Sequence, residues 1–227
     1  MRRLTILVDM DDTIEYLLFS WVDCLNKRYG LSVKYGDIHE WDMRTSFPTL
    51  TAEQVYAPLV EDDFWMTVKP IPDAEMVLKW AIEQGHSIYI VTASYYKSIK
   101  AKMENVLFRH FPFLSWENVI IAHNKQMIHG DILIDDAPHN LENGDYIKLL
   151  MTANHNRSYN ASANGMVRVN DWLDVQSCIF AVAYADELKE GLVENKDNQV
   201  HYLLTEWGVE LPPYQNILLQ FMLGGTN

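Results

Sequence analysis

The sequence predicts an α/β fold, in which a mainly parallel, Rossmann-like sheet carries helices on both faces. Two patterns support this prediction. Short runs rich in Ile, Leu and Val are typical of strands that are covered on both sides, as parallel strands are. Segments with helical apolar spacing alternate with these runs, which indicates βα units. The 227 residues are enough for one large domain or for one domain with a small insert.

The first strand and helix follow each other closely. Residues 4–8 are predicted as a buried strand, and residues 13–29 as an amphipathic helix that Gly30 ends. A second helix is predicted to start near Thr51, where "TAEQ" fits a capping box, and to run to about Glu61.

From Pro70 onward the alternation of helices and strands becomes regular. The predicted helices are "DAEMVLKWAIEQG", which Gly85 closes, then residues 96–110 and residues 171–190, and two candidates in the tail after 197. The predicted strands are residues 87–91, 118–121, 131–134, 146–151 and 166–169.

The interval 31–69 breaks this alternation and is rich in aromatic residues. It is predicted to form a small helical cap, inserted after the first strand-helix unit together with part of that helix, and to lie over the sheet edge. The predicted organisation is therefore an α/β core of residues 1–30 and 70–180, the cap insert 31–69, and a C-terminal helical extension 181–227.

The charge balance limits the partners that the protein can have. With 18 basic and 31 acidic residues, the formal net charge is −13. Such a surface repels nucleic acid polymers and anionic membranes, and it attracts divalent cations. The two cysteines, Cys24 and Cys178, lie in helical apolar patterns and indicate no disulfide framework. No apolar stretch is long enough for a signal peptide or a membrane span, so we expect a cytoplasmic location.

Polar side chains follow several of the predicted strands at their carboxyl ends. Since ligands bind at these ends in open parallel sheets, we expect the side chains to converge. They are Asp9, Asp11 and Asp12 after the first strand, Thr92 and Ser94 after residues 87–91, Lys125 after residues 118–121, and Asp135 and Asp136 after residues 131–134.

A shared cation explains why carboxylates crowd at one place. Buried like charges repel unless something positive compensates them. Mg²⁺ prefers oxygen ligands and usually keeps waters and substrate phosphate in its coordination shell. The lysine can in turn neutralise an anionic substrate that the acidic surface would repel. The pattern therefore predicts a magnesium site that accepts a phosphate ester.

The same residues resemble the four motifs of the haloacid dehalogenase superfamily, in order: "DMDDT", "VTAS", Lys125 and "LIDD". The second aspartate, Asp11, points to the phosphatase branch. Within the superfamily, the closest resemblance is to the 5′(3′)-deoxyribonucleotidases, through "PIPDAEMVLKWA", "ILIDDAPHN" and "TANHN". The resemblance covers roughly residues 3 to 180.

The resemblance implies catalytic roles for four residues. Asp9 resembles the nucleophile that becomes an aspartyl phosphate, and Asp11 resembles the general acid–base. Thr92 would hydrogen-bond the transferring phosphoryl group, and Lys125 would neutralise its developing charge and hold the nucleophile. A carboxylate can serve as a covalent nucleophile when its charge is offset, and phosphoryl transfer depends mainly on positioning and electrostatics.

The resemblance also implies a ligand set and further phosphate contacts. Asp9, the main-chain carbonyl of Asp11 and Asp136 would bind Mg²⁺, with Asp135 in a supporting position. Ser94 and Lys97 are further candidates for phosphate binding, although their spacing from Thr92 differs from the family pattern by about one residue.

Aromatic residues in or beside the insert have two interpretations. Trp41, Phe64 and Trp65 either form the small core of the insert or provide a stacking surface for a nucleobase. We favour stacking for at least one tryptophan, with Tyr16 and Leu17 lining the same pocket.

Other polar and aromatic residues have simpler explanations. Asp12 is predicted to sit in the first turn of a helix, where the helix dipole favours it. His155, in "TANHN", resembles a family feature without an assigned role. The aromatic residues of the tail indicate packing, with a homodimer contact as the alternative; they are Trp207, Tyr214 and Phe221.

Three functions compete. The leading one is a Mg²⁺-dependent phosphomonoesterase that hydrolyses nucleoside monophosphates, deoxyribonucleotides above all, through an aspartyl phosphate. The second keeps the chemistry with a sugar phosphate or another small phosphoester as substrate. The third is a phospho-accepting signalling module, which the length and the position of Thr92 disfavour. A calcium loop from Asp9 fails, because Ile14 stands where a glycine is needed and Ser20 where a glutamate is needed.

Overall fold

A computed structural model describes residues 1–40 and 42–185. In this part of the chain the strands form a six-stranded, fully parallel sheet in the order β3-β2-β1-β4-β5-β6. The strands are β1 (Thr5–Val8), β2 (Ser87–Thr92), β3 (Val119–Ile121), β4 (Ile132–Asp135), β5 (Ile147–Met151) and β6 (Val167–Val169). The predicted α/β fold with a parallel sheet is therefore confirmed.

Helices connect the strands, and several short ones lie in the long connection between β1 and β2. The α-helices are α1 (Leu17–Tyr29), α2 (Met43–Ser46), α3 (Ala52–Tyr56), α4 (Asp62–Trp65), α5 (Ala74–Glu83), α6 (Ile99–Lys102), α7 (Phe108–His110), α8 (Pro138–Leu141) and α9 (Trp172–Ala183). Short 3₁₀ turns occur at Tyr35–Asp37, Ala57–Val60, Trp116–Asn118, Lys125–Met127, Asn154–Asn156 and Ser162–Asn164, and a π-helical turn occurs at Met103–Leu107.

The central strands are buried on both faces, as their continuous apolar sequences predict. Ile6 and Val8 point into the larger apolar cluster, which includes residues of α5 and α9. Leu7 points to the opposite face, into a smaller cluster with Leu141 and Tyr146. This alternation places β1 at the centre of the sheet, where its carboxyl end is flanked by those of β2 and β4.

The start of the first helix differs from the prediction. α1 begins at Leu17 instead of residue 13, because Asp12 adopts a left-handed conformation with φ 52°. The Asp12 carboxylate accepts a hydrogen bond from the main-chain N–H of Leu18, 3.1 Å away. Asp12 thus lies before the helix, and its side chain accepts a hydrogen bond from the first turn. The prediction that Asp12 sits in the first helical turn was therefore wrong. Gly30 ends α1 with φ 64°, as predicted.

Two other predicted helices are interrupted. The capping box at Thr51 is present, but α3 ends at Tyr56 and continues as a 3₁₀ turn that contains Pro58. The predicted helix 96–110 begins only at Ile99 and is divided by the π-helical turn.

The insert packs against α1. The indole N–H of Trp21 donates to the carbonyl of Val55 at 2.7 Å, and Arg28 forms an ion pair with Glu61 at 2.5 Å. Within residues 1–40 and 42–185, no helix combines the length and apolar character that crossing a membrane requires. Trp41 and the predicted elements after residue 185 lie outside the described residues.

Candidate active site

The three central strands bring their terminal polar residues to one edge of the sheet. Asp9 directly follows β1, Thr92 is the last residue of β2, and Asp135 is the last residue of β4. The main-chain N–H of Asp9 donates to the carbonyl of Ile134 at 2.8 Å, which extends the pairing of β1 and β4 beyond β1. The sheet itself therefore places these residues side by side.

A buried lysine joins two of the carboxylates. Lys125 lies in the 3₁₀ turn between β3 and β4 and is 1% exposed. Its ammonium forms ion pairs with Asp9 and, at 2.6 Å, with Asp135. Burial alone would lower the pKa of Lys125, but the two carboxylates outweigh burial and raise it above its usual value. The lysine is therefore a fixed positive charge beside Asp9.

The carboxylate of Asp135 is held by further protein donors. It accepts hydrogen bonds from the main-chain N–H of Ala137 at 2.8 Å and from the side-chain amide of Asn140 at 3.1 Å. Together with Lys125, these groups donate hydrogen bonds to both carboxylate oxygens of Asp135. This geometry suits the supporting position that the family resemblance implies for Asp135.

The carboxylates of Asp9, Asp135 and Asp136 form a group that could hold a metal ion. Each offers an oxygen within 4.8 Å of the others, and all three residues are buried. Burial raises the pKa of Asp9 to about 7 against the opposing effect of Lys125, and Asp135 adds to the rise. Burial and the charge of Asp135 also raise the pKa of Asp136 well above its usual value. A hard cation with oxygen ligands would remove this repulsion.

A second buried lysine, Lys102, pairs with Asp11. Lys102 is 1% exposed, and its ammonium lies 2.5 Å from Oδ1 of Asp11. It also lies 3.1 Å from the hydroxyl of Thr92 and 2.8 Å from that of Ser94, and these two hydroxyls are 2.9 Å apart. Burial raises the pKa of Asp11, but the effect of Lys102 and other favourable contacts lowers it overall. The four residues form one continuous polar cluster.

Sequence reasoning missed Lys102, although the pattern contains a signal for it. A lysine inside an amphipathic helix is usually solvated. Lys102, however, stands three residues after Ile99 and four before Val106, so it shares the apolar face of that helical segment.

Glu15 is another buried acid that the sequence did not reveal. It is fully buried and lies in the segment between β1 and α1. The main chain of Glu15 forms β-bridges to Asp11 and to Pro70. Burial and the nearby Asp11 raise the pKa of Glu15 well above its usual value, which favours a neutral carboxyl. The prediction of a helix over this segment concealed its position beside Asp11.

The insert reaches this cluster through α4. The ring of Trp65 lies 5.5 Å from the ammonium of Lys102, and its indole N–H donates to the carbonyl of Leu59 at 3.1 Å. Phe64 packs edge-on against Trp65, with ring centroids 5.3 Å apart, and both are buried. Leu17 opens α1 and is half-buried against the apolar core.

Two predicted substrate-binding residues are not placed in the cluster. Lys97 is exposed, and its ammonium lies 5.9 Å from the centroid of the Tyr96 ring. Trp41 lies outside the described residues.

Comparison with known proteins identifies the family of the chain. Residues 2–185 match the family model described as 5′ nucleotidase, deoxy (Pyrimidine), cytosolic type C protein. The chain is 36% identical over 177 residues to the 5′(3′)-deoxyribonucleotidase of Clostridium acetobutylicum, covering 78% of this chain and 95% of that protein. It is 34% identical over 173 residues to the 5′(3′)-deoxyribonucleotidase of Bacillus subtilis, covering 75% of this chain and 95% of that protein.

A solved structure shows the same fold. It is a HAD family hydrolase from Deinococcus radiodurans, with a TM-score of 0.54 at 12% identity, and the match covers 78% of this chain and 95% of that chain. The sheet order and the match over residues 2–185 identify the chain as a member of the cytosolic type C deoxy (pyrimidine) 5′ nucleotidase family.

Proposed function

We propose that the protein is a Mg²⁺-dependent phosphomonoesterase that hydrolyses nucleoside monophosphates, deoxyribonucleotides in particular, through an aspartyl phosphate formed on Asp9. The observation that carries the proposal is that Asp9 and Asp11 form ion pairs with two different buried lysines. Asp9 is paired with Lys125, and Asp11 is paired with Lys102. The relatives named as 5′(3′)-deoxyribonucleotidases support the choice of substrate.

In the first half-reaction, a carboxylate oxygen of Asp9 attacks the phosphorus atom. The pair with Lys102 keeps Asp11 ionised in the free site, whereas the negative charge of a bound phosphate ester favours its protonated form. The bond between phosphorus and the ester oxygen breaks, and the protonated Asp11 donates its proton to the departing nucleoside oxygen. Lys125 offsets the charge near Asp9, while the hydroxyl of Thr92 donates to a phosphoryl oxygen.

In the second half-reaction, water attacks the phosphorus atom of the aspartyl phosphate. Asp11, now ionised, accepts the proton of that water. The bond between phosphorus and Asp9 breaks, which releases inorganic phosphate and restores the Asp9 carboxylate. Lys102 contributes by holding Asp11 near Thr92 and Ser94.

Asp9, Asp136 and the main-chain carbonyl of Asp11 would hold the Mg²⁺ ion, with Asp135 supporting them. When bound, the ion supplies positive charge to the phosphate group. The carboxylate oxygens of Asp9, Asp135 and Asp136 lie close enough together to share one cation.

Selectivity for the rest of the substrate is assigned to the insert. The sheet edge offers polar groups for the phosphate, and the ring of Trp65 lies next to Lys102 at the border of these groups. Trp41, Phe64 and Leu17 are the further candidates for contact with the base. A flat, neutral base suits such a surface better than a polyanion does.

A comparison of substrates tests the proposal. With Mg²⁺ present, kcat/KM for dUMP or dTMP should exceed that for glucose 6-phosphate, and Asp9→Asn should abolish turnover without altering the circular dichroism spectrum. Equal efficiency on the sugar phosphate would favour a general small-phosphoester hydrolase. Substantial turnover by Asp9→Asn would contradict the covalent mechanism.

Two further expectations belong to this proposal. The protein is expected to act in the cytoplasm on a small phosphate monoester, and the tail is expected either to pack on its own chain or to form a homodimer. Gel filtration of the full chain, with and without residues 197–227, would distinguish the last two.

A further inference from the structure

The segment "TANHN" supports the candidate cation site from the side of β5. It follows β5 directly and ends in the 3₁₀ turn Asn154–Asn156. Nε2 of His155 lies 3.1 Å from the main-chain carbonyl oxygen of Asp136 and 3.3 Å from its carboxylate Oδ2. The side-chain amide of Asn156 donates to the same carbonyl at 2.6 Å and to that of Met151 at 2.7 Å. Two neighbouring side chains therefore converge on Asp136.

The orientation of Asn156 is fixed by groups behind it. Its side-chain oxygen accepts from the main-chain N–H of Ala153 at 3.1 Å and from Nη1 of Arg168 at 3.0 Å. Arg168 also donates to the carbonyls of Asn156 at 3.0 Å and Tyr159 at 2.8 Å. Asn156 is 1% exposed, so its amide N–H groups are directed at the two carbonyls. The side chain thus links β6 to the loop that carries Asp136.

The contact of His155 does not require a charged ring. Both atoms that face Nε2 are oxygen acceptors, so this nitrogen carries the proton. A hydrogen bond to one carboxylate oxygen of Asp136 leaves the other oxygen for a cation. Donors of this kind orient a metal ligand and strengthen its binding.

We infer that His155 and Asn156 are positioning residues that hold Asp136 in the geometry for cation binding. The inference rests on the cation site of the proposed function. Neither side chain is assigned a contact with the substrate, so their effect is expected in metal affinity before catalysis. Loss of such an outer contact typically weakens metal binding by about 10- to 100-fold.

Calorimetric titration of the substrate-free protein with Mg²⁺ tests the inference directly. His155→Ala and His155→Phe remove the donor and should raise the Kd for Mg²⁺ about 10-fold or more. His155→Gln places an amide N–H near the position of Nε2 and should restore most of the affinity. Asn154→Ala is the matched control in the same turn, because its amide donates to the carbonyl of Tyr35 at 2.8 Å instead of Asp136. Its Kd should equal that of the wild type.

Activity provides a second readout. The Mg²⁺ concentration for half-maximal hydrolysis should rise in His155→Ala, while kcat at saturating Mg²⁺ should recover toward the wild-type value. Melting in the presence of chelator identifies a variant that is merely misfolded, and the alanine and phenylalanine variants serve as alternatives in that event. An unchanged Kd in the folded donor-free variants, or a glutamine variant as weak as they are, would overturn the inference.

Failure of the inference is distinguishable from failure of the proposed function. A wild-type protein that binds Mg²⁺ but hydrolyses no nucleotide would refute the proposed function alone, since the Kd values of the variants would still decide the role of His155. A wild-type protein that binds no Mg²⁺ would overturn the inference even if it hydrolysed nucleotides.

Discussion

Lys102 links Asp11 to Thr92 and Ser94 in the candidate active site. Its ammonium contacts the carboxylate of Asp11 at 2.5 Å and the hydroxyls of Thr92 and Ser94 at 3.1 and 2.8 Å. Since the lysine is buried, its charge is not screened by solvent as a surface charge would be. A phosphate ester entering between Thr92 and Asp11 would meet this ammonium as well as that of Lys125.

Replacing Lys102 by methionine should therefore impair catalysis strongly. Methionine keeps the length of the side chain and removes the charge, so Asp11 and the entering phosphate lose a common partner. We expect kcat/KM for dUMP to fall about 100-fold or more, as for loss of one electrostatic donor in an active site. Lys100→Met, an exposed lysine on the same helix, is the control and should retain wild-type kcat/KM. A Lys102→Met variant within a few-fold of wild type would refute this role.

The sequence predicts site residues well where the backbone alone positions them. Asp9, Thr92 and Asp135 follow buried strands, and the parallel sheet brings these strand ends together. Lys102 and Glu15 are different, because their burial depends on how a helix and a connecting turn fold onto the sheet. Local sequence patterns do not contain that tertiary information. The catalytic and metal-binding roles of all these residues remain predictions.

Among the elements, the strands were predicted more closely than the helices. The strand predicted at residues 87–91 is observed at Ser87–Thr92. A strand that is buried on both faces has a nearly continuous apolar sequence, which makes it easy to recognise. The first helix begins four residues later than predicted, because the left-handed Asp12 and the bridge from Glu15 to Pro70 occupy its expected first turn. Apolar spacing identifies a helix, but it does not exclude such a turn at its start.

The short helix α4 brings the insert next to Lys102 in the candidate active site. Trp65 is its last residue, and the ring faces the ammonium of Lys102 at 5.5 Å from the ring centroid. Phe64 packs edge-on against it. The ring is buried, so it contributes to the core of the insert as well as to the border of the site. At 2% exposure, and with its indole N–H bonded to the carbonyl of Leu59, the ring belongs to the core of the insert. Contact of this ring with a base stays a prediction.

Trp65→Ala should reduce nucleotide hydrolysis selectively. If the ring contacts the base, its loss should cost about 1–3 kcal/mol in kcat/KM for dUMP, and less for glucose 6-phosphate. Trp65→Phe keeps an aromatic face and should lie between the wild type and Trp65→Ala; the same comparison applies to Trp41. The control is Trp116→Ala, since this exposed tryptophan lies before the amino end of β3, away from the carboxyl ends of the strands. Equal losses on both esters would indicate packing alone.

At the scale of the whole molecule, buried acids and a net charge of −13 oppose folding as the pH rises. The pKa of Asp9 rises from 3.8 to about 7 because burial, aided by Asp135, outweighs Lys125, and burial also raises the pKa of Asp136. Between about pH 4 and 7, the folded protein therefore keeps a proton on Asp9 that the unfolded chain has lost. Its metal-free stability must fall as the pH rises through this window.

Mg²⁺ should reverse this loss, because it binds the ionised carboxylates of the folded site in competition with protons. In chelator, the Tm should decrease from pH 5 to pH 8; added Mg²⁺ should raise it more at pH 8 than at pH 5. At a hundredfold excess over Kd, the expected stabilisation is about 2.7 kcal/mol. Thermal melts at matched ionic strength with NaCl control for screening of the net charge. Asp136→Asn should reduce both the pH dependence and the Mg²⁺ shift, whereas an Mg²⁺ shift that is equal at both pH values would contradict the assignment of the buried aspartates as its ligands.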